Sequence, residues 1–166
     1  MDALDQQGPQ PAAGPPLAPN QAGGTRTMRH LSQAHALRLL AGASLGRVVF
    51  TRQALPAIRP VNHLVEDGEI VIRTHDGAAL TTATQQAGAG GVVVAYEADQ
   101  IDPDTHTGWS VVVTGYARLV TDPADAARYA RLLRPWVDRS MDYTVRIHPE
   151  QVTGFELIEG QPDTRA

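Results

Sequence analysis

The sequence predicts a mainly antiparallel β protein of the α+β class, a barrel with appended helices. Two β-rich runs between residues 56 and 74 are joined by Asp67-Gly68, a pair typical of a tight hairpin turn. Segments with strand composition also outnumber segments with helix composition. A second hairpin is predicted around Pro149-Glu150. The chain therefore predicts a sheet built mainly from neighbouring antiparallel strands.

The first half of the chain reads as one helix followed by three strands. Ser32 is expected to cap the helix, which runs to Ala41, because its hydroxyl can accept a backbone N–H. Pro60 lacks an N–H and therefore predicts an edge or a bulge in its strand. The three strands are predicted at residues 46–51, 56–65 and 69–74.

The second half alternates single helices with pairs of strands. The strand 92–97 is apolar throughout and is expected to be buried on both faces. Gly115 predicts a bulge or bend in its strand, and Asp122-Pro123 marks the start of a helix that runs to about Leu133. The remaining elements are a helix at 80–86, a polar loop at 98–108, and strands at 109–121, 143–148 and 152–158.

Composition divides the chain into one folded part and two tails. Residues 1–27 are rich in Pro, Gly and Ala and are expected to be disordered. Residues 28–160 form the predicted domain, and 161–166 a C-terminal tail. The 166-residue chain has a net charge of −4 and no cysteine, which argues against a nucleic-acid surface, disulfides and thiolate metal sites. With no apolar span or signal peptide, we expect a cytoplasmic protein.

Candidate binding residues lie along the predicted hairpin. With Asp67-Gly68 as the turn, Glu66 is expected opposite Glu69, Asn62 opposite Arg73, and Val61 opposite Thr74. Arg59 and Thr74 then share a face and could meet an anion, and Gly77 would allow close backbone approach beside a helix N-terminus. The alternative is that the arginines lie on a solvated exterior. These features suggest a phosphate-bearing ligand.

Other chemistry has little support in the sequence. Trp109 and Ser110 begin a strand, where the indole could stack on a ring or close the core. The six histidines lack metal-binding spacing, and no nucleophile elbow or P-loop occurs. No side chain is assigned as a catalytic acid or base, so the reactive group of an enzyme would come from a cofactor.

The order of these motifs resembles that of the pyridoxamine 5′-phosphate oxidase-like superfamily of FMN-binding split β-barrels, in its actinobacterial flavin- or F420-associated branch. The resemblance covers residues 31–158. It rests on GRVVF, on the hairpin P-x-x-x-PVNH-x-x-x-DG-x-I-x-x-RT, on the G-x-x-L turn that follows, and on GWSVVVTGYARLV. It implies a homodimer with a flavin at the subunit interface and oxidoreductase activity on a small organic substrate. It does not extend to the substrate residues of the true vitamin B6 oxidase.

The resemblance also implies roles for individual positions. The strand that lies along the flavin ring corresponds to Arg59, Pro60, Val61, Asn62 and His63. The residues near the flavin phosphate correspond to Arg73 and Thr74, and those that reach the flavin of the other subunit to Trp109 and Ser110.

One turn departs from the family pattern. Where the family carries a phosphate-binding Lys or Arg, this chain has Ala79, and Asp76 adds a negative charge nearby. A missing charge-assisted contact weakens phosphate binding. This leaves open three alternatives to an FMN enzyme: an F420-dependent reductase, a non-catalytic flavin- or haem-binding module, and a scaffold that binds no cofactor.

Overall fold

The computed structural model describes residues 26–75, 77–136 and 140–160. This part of the chain contains eight strands, three α-helices and a short 3-10 turn at residues 88–90. The strands are β1 (Arg26–His30), β2 (Gly46–Arg52), β3 (Leu55–Val61), β4 (His63–Glu66), β5 (Glu69–Thr74), β6 (Val92–Ile101), β7 (Gly108–Leu119) and β8 (Tyr143–Glu159). The helices are α1 (Gln33–Gly42), α2 (Ala79–Ala87) and α3 (Pro123–Leu132).

The strands form one antiparallel sheet that curls but does not close. Its order is β3-β2-β6-β7-β8-β5-β4, and β1 pairs with the C-terminal part of β8. The two outer strands, β3 and β4, are separated in sequence by Asn62 alone. The sheet must therefore bend until its edges nearly meet at this residue. We call residues 61–63 the seam. This is the predicted fold class, a split β-barrel with appended helices.

The Asp67-Gly68 hairpin is confirmed, but its two strands pair over fewer residues than expected. Both turn residues have positive φ angles, 51° and 79°, as a type I′ turn requires. Glu66 lies opposite Glu69 as predicted. The expected pairs Asn62–Arg73 and Val61–Thr74 do not form, because the chain leaves β5 at the seam and Val61 pairs with Gly46 of β2 instead. The predicted single strand 56–65 is thus two strands.

The predicted C-terminal hairpin is wrong, because β8 is one continuous strand through Pro149-Glu150. Opposite these residues, Thr114 pairs with Gln151 and Gly115 with Pro149, so Glu150 is the extra residue of a bulge. A Cβ atom at Gly115 would lie 2.0 Å from the His148 carbonyl oxygen. Only glycine fits there, which explains the bulge that Gly115 predicted.

Burial within the sheet follows the strand period of two. The core combines inward residues of the strands with Ala36 and Leu40 of α1 and Leu80 of α2. The expectation that 92–97 is buried on both faces is wrong, because Val94 is buried while Val93 is 59% exposed. Strand β6 also extends through Ile101 into the predicted loop, and β1 begins at Arg26, before the expected start of the domain.

The helix starts follow their predicted caps. Ser32 Oγ accepts from the His35 N–H of α1, and the Asp122 carboxylate accepts from the Asp125 N–H of α3 at 2.9 Å. None of the described helices is long and apolar enough to cross a membrane.

Candidate functional site

A cavity of about 330 Å³ lies between β3, the end of β5 and the start of α2. Most of the predicted cofactor residues line it, namely Arg59, Pro60, Val61, Arg73, Thr74, Gly77 and Ala79. The chain brings them together because β3 and β5 approach across the seam. Val48, Phe50, Ile72 and Leu80 supply an apolar wall. We call this space the main cavity.

The main cavity has a positive lining. Arg52, Arg59 and Arg73 contribute positive charge to the described part of its wall, which contains no carboxylate. Asp76, expected to add a negative charge, lies outside the described residues. The described wall therefore favours an anionic group over a cationic one.

The first turn of α2 forms one end of the cavity. Ala78, the residue before the helix, provides no side-chain cap, and the first turn contains no acidic residue. Backbone N–H groups at such an end are unsatisfied within the helix and carry a partial positive charge. Thr81 fixes this end to β5, because its hydroxyl donates to the His75 carbonyl at 2.9 Å and its oxygen lies 3.2 Å from Thr74 Oγ1, within hydrogen-bond distance.

Gly77 precedes this helix with a φ of 71°, a left-handed conformation that favours glycine. A Cβ atom at Gly77 would meet nothing within 4 Å. The positive φ is therefore the observed reason for a glycine here, and close approach of the backbone to a ligand stays a prediction.

The arginines of the wall differ in their contacts. Arg59 is exposed and donates to the Ile58 carbonyl at 2.7 Å. Arg73 donates from Nη1 to the Leu133 carbonyl at 3.4 Å and from Nη2 to the Met141 carbonyl. Arg73 therefore braces both ends of the segment between α3 and β8, and the exposed cations of the wall are Arg52 and Arg59.

The seam residues are each held by a different element. Tyr96 on β6 donates to the Val61 carbonyl at 3.3 Å, and the Asn62 side chain donates to the Arg134 carbonyl at 3.0 Å. His63 Nε2 donates to the Leu40 carbonyl of α1 at 2.8 Å, while burial lowers the pKa of its imidazole. The side chains of Asn62 and His63 therefore connect the seam to other parts of the chain. The resemblance did not predict these hydrogen bonds.

Trp109 and Ser110 lie on β7, apart from the main cavity. Trp109 is 9% exposed and belongs to the core, opposite Gln100 and Glu156. Ser110 lies opposite Asp99 and Phe155. Within one chain, these two residues do not join the other predicted site residues.

Arg52 and Met141 also line the main cavity, although the sequence did not predict them there. Arg52 ends β2 next to a two-residue turn, Gln53-Ala54, whose φ angles of 50° and 62° are unusual for these residue types. The turn lacks the Gly or Asn that signals a hairpin, so its register was not predictable. Met141 lies at the cavity, where its carbonyl accepts a hydrogen bond from Arg73. No local sequence pattern indicates this hydrogen bond.

A polar groove of about 440 Å³ continues from the main cavity past the start of α2. Arg52, Gly77 and Ala79 line both spaces, and the groove adds Thr51, Gln53, Thr82, Ala83 and Gln86. Hydroxyl and amide side chains offer hydrogen bonds without charge. Among the described residues, no group of three or more His, Asp or Glu side chains could hold a metal ion.

Comparison with known proteins gives related sequences and structures. Residues 32–156 match a family model described as pyridoxamine 5′-phosphate oxidase. The uncharacterized protein Rv0080 of Mycobacterium tuberculosis is 56% identical over 133 residues, which are 80% of this chain and 88% of that protein.

Two solved structures share the fold and part of the sequence. An FAD binding protein from Mycobacterium smegmatis is 31% identical with a TM-score of 0.58, covering 78% of this chain and 98% of that one. A Corynebacterium glutamicum protein, provisionally named a pyridoxamine 5′-phosphate oxidase, is 33% identical with a TM-score of 0.64 and the same coverage.

Proposed function

The chain belongs to the pyridoxamine 5′-phosphate oxidase family, and from this premise we propose that it binds a flavin nucleotide in the main cavity. The observation that carries the proposal is the pairing of an apolar wall with a positive, uncapped helix end. The apolar wall suits a flat ring system, and the helix N-terminus with Arg59 suits a phosphate.

The residues have distinct roles in this proposal. Arg59 binds the phosphate, together with the N–H groups at the start of α2. Val61 and Pro60 lie along the ring and keep water from it. Arg73, proposed as a phosphate ligand on the resemblance, acts instead through the segment that it braces. Trp109 and Ser110 would act on the ligand only from a second chain.

FMN is the cofactor that the resemblance implies, and the polar groove adds FAD as a second candidate. The M. smegmatis relative is named for FAD, in which an adenosine monophosphate extends beyond the phosphate that FAD shares with FMN. The groove continues from the phosphate end of the cavity, with Arg52 at the junction and neutral side chains beyond it. One cation suits a diphosphate followed by a neutral nucleoside better than the longer acidic tail of F420.

We propose that the bound flavin serves oxidoreductase chemistry on a small organic substrate. A flavin supplies electron or hydride transfer when bound. The chain's own contribution is to hold the ring and to exclude water from it. A non-catalytic flavin carrier would share these contacts, so turnover of a substrate distinguishes the two functions.

We further propose a homodimer that uses the outer face of β3, β2, β6 and β7. Val93 lies opposite Tyr116, and their exposed fractions are 59% and 36%. Ile58, which is 54% exposed, extends this face to β3, since its partner Val49 pairs with Ala95. The same strand β3 lines the main cavity. A second copy on this face would cover apolar surface beside the proposed flavin site.

Flavin binding is tested by titrating the purified chain with FMN and with FAD while following quenching of flavin fluorescence. We expect saturable binding, and Arg59→Ala to weaken it roughly 10- to 100-fold through the lost charge-assisted contact. Arg38→Ala, an exposed arginine of α1 outside the cavity lining, serves as the matched control and should bind as the wild type does.

Failure of the wild type to bind either flavin would overturn the proposal. Equal affinities for the wild type and Arg59→Ala would remove the phosphate assignment. The absorption spectrum of the freshly purified chain separates flavin from F420 and from haem, because the three absorb at different wavelengths.

A further inference from the structure

A second, apolar compartment of about 230 Å³ adjoins the main cavity. Leu45, Pro60, Val61, Pro135, Trp136 and Met141 supply its apolar lining. Pro60, Val61, Arg73 and Met141 line both spaces. A molecule in this compartment would therefore lie directly beside the contents of the main cavity.

The polar side chains of the compartment's described lining donate to backbone carbonyls, and the one buried side-chain nitrogen or oxygen without a partner among them is Arg73 Nε. Asn62 donates to the Arg134 carbonyl, and Arg73 donates to the carbonyls of Leu133 and Met141. No carboxylate is among its described lining residues. A charged ligand would lose its hydration here, and Arg73, the charged residue of the described lining, already directs both Nη atoms to backbone carbonyls, so the compartment favours an uncharged ligand.

Trp136 gives the compartment a flat and accessible wall. Its side chain is 62% exposed, although large aromatic side chains are usually buried. Pro60 and Pro135 add rigid, flat surfaces. Aromatic rings gain stacking energy against an indole beyond what area burial supplies.

We propose that this compartment is the substrate subsite and that it takes an uncharged, planar aromatic molecule of one or two rings. The inference rests on the proposed flavin site, since it places the substrate ring next to the flavin. The size of the compartment, its indole wall and the engagement of its charged described lining residue, Arg73, by backbone carbonyls point to this class.

The probe is 2-naphthol, a neutral two-ring molecule, with naphthalene-2-sulfonate as its charged counterpart. The chain has two tryptophans, so two indole N–H resonances report on the titration. We expect 2-naphthol to shift the Trp136 resonance and leave that of the buried Trp109 unchanged, and naphthalene-2-sulfonate to bind at least tenfold more weakly.

Two variants test the assignment by calorimetry on the full chain. Trp136→Ala should weaken 2-naphthol binding about tenfold while leaving the affinity for flavin unchanged. Leu55→Ala removes a similarly exposed apolar side chain outside both spaces and should bind as the wild type does.

The outcomes separate this inference from the flavin proposal. An unshifted Trp136 resonance, equal affinity of Trp136→Ala, or equal binding of the sulfonate would overturn the subsite. If a monomeric variant binds 2-naphthol but the dimeric wild type does not, the subsite is also overturned, because a second copy would then fill the compartment. If flavin fails to bind but 2-naphthol shifts Trp136, the flavin proposal fails and the aromatic site stands.

Discussion

Ala79 occupies the position at which the resemblance implies a phosphate-binding Lys or Arg. It is the first residue of α2 and lines both the main cavity and the polar groove. Its methyl group adds no charge, so the helix N-terminus and the nearby Arg52 and Arg59 supply the positive charge at this end. The turn can therefore still attract an anion, with less charge than a lysine would supply.

Ala79→Lys should tighten FMN binding about tenfold, because the ammonium adds a charge-assisted contact to the phosphate. Fluorescence titration measures the change. Gln85→Lys adds the same charge to an exposed position of α2 outside both linings and is the matched control. Equal tightening by both variants would indicate a general charge effect and contradict the placement of the phosphate.

At the residue scale, the sequence predicted which residues line the main cavity better than it predicted their hydrogen bonds. Arg59, Thr74 and Ala79 could be assigned because motif order fixes where they lie on adjacent elements. Arg73 lies in the predicted place, yet its guanidinium bonds to two carbonyls on a segment 60 or more residues away. Such long-range bonds depend on tertiary structure and leave no local pattern.

The attachment of α3 to the sheet depends on one polar cluster. Both Nη atoms of Arg128 donate to the Glu66 carboxylate, at 2.5 and 2.7 Å. The hydroxyl of the buried Tyr129 donates to the same carboxylate at 2.5 Å and accepts from Arg146 at 2.6 Å. Helix α3 is thus fixed to the β4–β5 hairpin and to β8 at once.

This cluster predicts a loss of stability in acid. Arg128 first, and then Tyr129, lowers the pKa of Glu66 to about 2. The stabilisation is therefore full above the ordinary glutamate pKa and is lost as the pH falls toward the folded value. Glu66→Gln should lower the free energy of unfolding at pH ~7, and its difference from the wild type should shrink toward pH ~2.

Urea unfolding across this pH range measures the effect. Glu150→Gln, an exposed carboxylate at the β8 bulge, is the control and should leave the free energy of unfolding unchanged. A constant difference between Glu66→Gln and the wild type at every pH would contradict the role of the carboxylate charge.

At the scale of elements, capping chemistry was more predictable than strand continuity. Ser32 and Asp122 fixed the helix starts because a cap acts over three residues. Pro149-Glu150 indicated a turn, but Gly115 on the facing strand makes room for a bulge, and the strand continues. The break at Asn62 was equally hidden, because it arises from the meeting of two sheet edges.

At the scale of the whole molecule, the exposed apolar face makes association testable. Val93→Glu places a charge within this face and should convert a dimer into a monomer of 17.8 kDa, because burying an unpaired carboxylate is unfavourable. Analytical ultracentrifugation measures the mass. Met28→Glu, on the exposed side of β1, is the control. A wild type that sediments as a monomer would contradict the proposed homodimer.

The fold class of the molecule was predictable, because short β-rich segments and tight turns dominate the chain. Its strand order required the structure, because β2 pairs with β6 across more than forty residues. Only tertiary packing selects such a pairing among the alternatives.

Strand β3 is an outer strand of the sheet, and Pro56 and Pro60 lie within it. Neither proline has an N–H, so a neighbouring molecule could not extend the hydrogen-bond ladder regularly along this margin. Open-ended polymerisation by strand addition is thereby discouraged. A lasting contact made here would rely on side chains more than on a regular backbone ladder.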